Sequence, residues 1–92
     1  MTIHQVKMAE LAARFAARAA EERKLLATAK AACDRDLLRD RAHNLAGVAP
    51  MFGHADIGSA ALELEAVVEN GEPFDAALAS LDLLLRQLER TG

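Results

Sequence analysis

The stretch RDRAHNLAGVAPMFGH, Arg39 to His54, decides how the chain is read. Leu38, Ala42, Leu45, Ala49 and Phe52 recur at alternating spacings of four and three, the signature of an amphipathic helix. That helix reads as Arg35 to Phe52, with Gly53 closing it and Pro50 bending or loosening its last turn for want of an N–H. A helix turns roughly 100° per residue. Leu38, Leu45, Ala49 and Phe52 then lie roughly 180–240° from His43, so His43 stands on the solvent face, opposite the buried stripe. Asp36, Arg39, Asp40, Ala46, Gly47 and Pro50 flank it within about 60°. The side chains just C-terminal to the imidazole are cut down to almost nothing, although Gly47 in a helix interior costs about 1 kcal/mol relative to Ala. Such a cost fits either of two causes. Another protein comes close to His43, or Ala46 and Gly47 let a segment of the same chain, such as the long first helix, pack tightly. The pattern alone leaves both open.

Turn signals on either side cut the rest of the chain into three more helices. The first runs from about Ile3 to Cys33, with Met8, Leu11, Phe15, Ala19, Leu25, Leu26, Ala29 and Cys33 as its inward side. Asp34 caps the helix that follows, and Asp36 sits in its first turn. Asp56 caps a third helix whose stripe is Ile57, Ala61, Leu64 and Val68. Gly71 stops that helix, and Pro73 suits the first turn of a fourth, with Phe74, Leu78, Leu81, Leu85 and Leu88 inward. Connections this short make successive helices antiparallel neighbours. The fold class is all-α, an antiparallel up-down four-helix bundle, with residues 1–92 forming a single domain.

Composition agrees with this and narrows the function. The chain is 52% hydrophobic and 3% aromatic, and its wealth of Ala and Leu favours helix over sheet. The net charge is −3 with both signs interleaved, which argues against a nucleic-acid partner, since phosphates call for a concentrated basic surface. Cys33 is the one cysteine, so it forms no internal disulfide; it reads as a small buried residue near a helix end. No apolar run approaches the ~20 residues that span a bilayer, and no secretory signal is visible, so a cytoplasmic location and no membrane partner are expected. His4, His43 and His54 share no metal-ligand spacing and no cysteine completes a zinc set, so no metal is expected.

AHNLAGVAPMFG followed by IGSAALELE is similar to the signature of histidine-containing phosphotransfer (HPt) domains: A-H-x-L-K-G, five residues, G, three residues, L, and finally a hydrophobic-Glu pair. Ala42, His43, Leu45, Gly47, Phe52 and Gly53 fall in register, as do Ile57, Ala61, Leu64 and Glu65. One position departs: the family's lysine three residues after the histidine is Ala46 here. That lysine helps to balance phosphoryl charge in the family, and substitutes on this chain are Arg39, one turn before His43, or His54.

The resemblance implies a phosphorelay carrier rather than an enzyme. His43 is the phospho-acceptor and Glu65, on the adjacent helix, holds its Nδ1–H so that Nε2 attacks. Asp40, Asn44, Ala46, Gly47 and Pro50 form the receiver-docking surface. The partners implied are response-regulator receiver domains and a hybrid histidine kinase. The chain has no cofactor of its own, Mg2+ belonging to the receiver. Two other readings stand beside this one: an HPt-like module that docks a kinase or receiver without carrying phosphate, and a structural bundle. An enzyme with His43 as general base is the weakest reading, for no clustered acid accompanies it.

Overall fold

The computed structural model describes residues 2–91, the side chains of residues 4 and 91 excepted. Four α-helices follow one another: α1 (Ile3–Ala31), α2 (Arg35–Val48), α3 (Ala55–Glu69) and α4 (Asp75–Thr91), with a 3-10 turn, Ala49–Phe52, after α2. Each helix packs on its sequence neighbours, and α1 closes the ring against α4. The short connections between successive helices make the ring an up-down bundle. Its core is formed by Phe15, Ala19, Leu26 and Ala29 of α1, Leu38, Ala42 and Leu45 of α2, Ile57, Ala61 and Leu64 of α3, and Leu78, Leu81 and Leu85 of α4. No buried side-chain nitrogen or oxygen among the described residues lacks a hydrogen-bond partner.

Helix ends depart from the sequence expectation in physically transparent ways. α1 stops at Ala31 rather than Cys33, because Cys33 takes a left-handed conformation (φ 53°) that lets the Asp34 N–H reach the Ala29 carbonyl at 2.8 Å. Cys33 is therefore exposed at the turn instead of buried. Asp34 caps α2 as expected, accepting from the Leu37 N–H at 3.1 Å. The α-helix gives way to the 3-10 turn at Ala49, where Pro50 cannot donate, and Gly53 ends the segment at φ 84°. The N-cap position of α3 is His54, with no side-chain cap; Asp56 lies inside the first turn and accepts from the Ile57 N–H at 2.8 Å. Pro73 precedes α4 rather than sitting in its first turn.

α1 is also longer than the body it belongs to. At 29 residues it spans about 43 Å, against 14 to 17 residues for the other three α-helices. Its N-terminal turns run past the bundle, so Met8 and Leu11 are exposed rather than inward, and the core begins at Phe15. There Phe15 stacks on Phe52 (5.3 Å between centroids) and on His54 (5.6 Å), closing that end.

Polar side chains clamp the ring elsewhere. Arg23 of α1 pairs with Asp82 at 2.9 Å and Glu89 at 2.8 Å, both on α4. The hydrogen bonds it donates to those two carboxylates hold its guanidinium pKa above the ordinary value. Arg35 donates to the carbonyls of Val68 (3.1 Å) and Glu72 (2.9 Å), covering the C-terminal end of α3, and lies over the Phe74 ring.

Candidate functional site

The outward strip between α2 and α3 carries the histidine that the sequence singles out. With Leu38, Ala42 and Leu45 buried, α2 turns His43 to solvent, where its side chain is 77% exposed. On α3, the buried stripe Ile57–Ala61–Leu64–Val68 leaves Glu65 at its edge, facing α2, with its side chain only 14% exposed. His43 Nδ1 and Glu65 Oε2 are 2.6 Å apart. An ionised carboxylate only accepts, so against it Nδ1 carries the proton and donates. The ring's other nitrogen, Nε2, then keeps its lone pair. Such an imidazole, on an open surface, is chemically able to act as a nucleophile.

About two turns past this pair, α3 and the 3-10 turn after α2 approach closely. A Cβ on Gly58 of α3 would fall 2.6 Å from Pro50 Cγ, so only glycine lets the 3-10 turn seat here. Gly47 is different: a Cβ added there meets nothing within 4 Å. Packing within the chain gives no reason for a glycine at 47. Of the two causes the sequence left open for it, the structure removes the tight intramolecular contact. Ala46 is half-buried against the core, while Asn44, Gly47 and Pro50 are exposed.

The residues considered as charge support are engaged elsewhere. Arg39 lies 3.6 Å from Asp36 and 3.6 Å from Asp40, both exposed. The His54 ring stacks on Phe15. Among the described residues, no hydrogen bond or ion pair joins either to His43.

Two features escaped the sequence reading. Glu22 is 3% exposed, the one buried charged residue among those described, and it takes Arg41 of α2 and Arg18 of α1 as partners. Its hydrogen bond raises the Arg41 pKa above the ordinary value. Arg41 also donates to Asn44 Oδ1 at 3.4 Å, next to His43. The signal was a glutamate on the inward stripe of α1, between Ala19 and Leu26. The second feature is Leu62, 59% exposed, which neighbours Glu65 at a spacing of three. A leucine off the α3 stripe was its signal.

The Hpt-domain family model matches residues 10–91, nearly the whole chain. The chain belongs to the Hpt-domain family, whose members are phosphotransfer carriers of two-component signalling that work with receiver domains and kinases. Neither the comparison with curated proteins nor that with solved structures gives a match. Among the described residues no helix is long and apolar enough to cross a membrane.

Proposed function

We propose that His43 accepts a phosphoryl group from the aspartyl phosphate of a receiver domain or hybrid kinase and passes it to a response-regulator receiver. The observation that carries this reading is the exposed His43 ring held through Nδ1 by Glu65 at 2.6 Å. The Nε2 lone pair attacks phosphorus in line as the bond from phosphorus to the aspartyl oxygen breaks. The departing carboxylate keeps that electron pair. Nδ1 retains its proton, so the ring becomes cationic as the N–P bond forms, and the Glu65 carboxylate faces the new charge. Little else is asked of the carrier, because such transfer depends on positioning and charge stabilisation. Mg2+ enters with the receiver in this scheme.

With alanine at 46, Arg39 is the better placed of the two substitute cations. It is one turn before His43 on the same helix face, and its exposed pairs at 3.6 Å are weak ones that a phosphoryl dianion can outcompete. His54 is held by its stacking on Phe15. The open space at Gly47 supports docking of a receiver beside the ring, with Asp40, Asn44, Ala46 and Pro50 around it.

The test is to incubate the chain with phosphorylated receivers and follow an acid-labile, alkali-stable label. The label appears on wild type and vanishes in His43→Gln. Label that persists in the variant disproves the assignment, and binding with no label at all favours a docking module instead.

A further inference from the structure

The surface around His43 is divided, and the division runs across both helices. Along α2, the apolar or side-chain-free positions Ala46, Gly47 and Pro50 follow the histidine, whereas Asp36 and Asp40 precede it. α3 runs antiparallel, with Glu65 opposite His43 and Gly58 against Pro50. Its exposed Leu62, one turn toward Gly58, therefore falls on the apolar side. Its exposed Glu69, one turn the other way, falls on the acidic side, with no ion-pair partner among the described residues. Arg39 offsets only part of the charge of Asp36 and Asp40. Nothing in the fold requires this arrangement. Leu62 covers no core, Gly47 has open space above it, and two helices of opposite direction contribute to each half.

We propose that this split face docks one kind of partner in one orientation: a receiver domain whose phospho-acceptor aspartate is bordered by an apolar patch on one side and basic side chains on the other. This rests on the carrier reading of His43 and names the chemistry of its partner. The apolar half supplies contact area at Leu62 and Pro50. The acidic half steers a basic rim into register and rejects an acidic one, since charge at a rim governs association rate and choice of partner more than affinity. The position at which the family has lysine is Ala46 here, so the apolar half carries no cation at that place.

The experiment uses the full chain and two receiver domains, one with basic and one with acidic residues bordering its aspartate, each charged with phosphoramidate. Leu62→Asp slows transfer from both about tenfold. Asp40→Lys combined with Glu69→Lys slows transfer from the basic-rimmed receiver about tenfold and speeds it from the acidic-rimmed one, and both effects shrink at high salt. Direct labelling of His43 by phosphoramidate stays unchanged in Leu62→Asp, and unchanged helicity by circular dichroism shows that the surface substitutions leave the bundle intact. Equal rates in wild type and variants, or the same change with both receivers in the double-lysine variant, overturn the proposal while labelled wild type leaves the carrier reading standing. A wild-type chain that takes no label from either receiver or from phosphoramidate overturns both.

Discussion

Glu65 and Gly47 act on the same imidazole in opposite ways, one by touching it and one by leaving room. The Glu65 carboxylate lies 2.6 Å from Nδ1, and in the transfer proposed above this contact strengthens as the ring becomes cationic, so removing it would cost the transition state more than the ground state. A bond of this kind is worth about 1.5–3 kcal/mol, or roughly ten- to a hundredfold in rate. Glu65→Ala should slow label uptake by His43 within that range while circular dichroism and the urea midpoint stay near wild type. Glu65→Gln, which keeps an acceptor but no charge, should fall between. A carrier indifferent to both changes would mean that the tautomer is set otherwise. For Gly47 the two quantities move apart. Alanine there meets no neighbour and suits a helix better, so Gly47→Ala should raise stability by about 0.5–1 kcal/mol in a urea titration. Gly47→Gln should also fold, yet block transfer from receivers. Loss of stability in Gly47→Ala would show that the glycine serves the fold after all.

Between elements, the buried Glu22 ties α1 to α2 just before the histidine. Glu22 is almost wholly inaccessible, whereas Arg18 is half exposed and Arg41 about a quarter exposed. Removing a partner from a buried charge is costly in proportion to how little water can replace it. Arg41→Met, which strands Glu22 with one outlying arginine, should lower stability by about 2–3 kcal/mol. Arg18→Met should cost less than about 1 kcal/mol, as exposed pairs do. Urea midpoints of the two variants decide it, and equal losses would mean that Glu22 does not depend on Arg41. Such a tie is hard to read from sequence. The stripes Leu38–Ala42–Leu45 and Ile57–Ala61–Leu64–Val68 announce themselves by period, so α2 and α3 and the face bearing His43 follow directly. Glu22 falls in register with such a stripe, but its partners lie on a helix 19 residues further on and in its own, a pairing that period cannot supply. Ends are no easier. Cys33 in a left-handed conformation and His54 at an uncapped N-cap both run against residue preference, because the turns between packed helices, not local propensity, set them.

At the scale of the molecule, extents of 47 × 20 × 17 Å describe a short bundle with one long helix projecting from it. Helical period extends the inward stripe of α1 through Leu11 and Met8, but period says nothing about where the neighbouring helices stop. α2, the 3-10 turn and α3 end their coverage at Phe52 and His54, which meet Phe15, and the family match likewise begins at residue 10. The projecting turns bury little apolar surface against the body, so few tertiary contacts go with them. Deleting residues 2–8 should therefore change stability by no more than about 1 kcal/mol. Phe15→Ala removes a ring that is 4% exposed and stacked on two others, and should cost about 3–5 kcal/mol, a large share of what so small a fold possesses. Urea titration of both variants against wild type separates a helix that merely projects from one that is built into the body. If the deletion proves as damaging as Phe15→Ala, the projecting turns are part of the core and the boundary drawn at Phe15 is wrong.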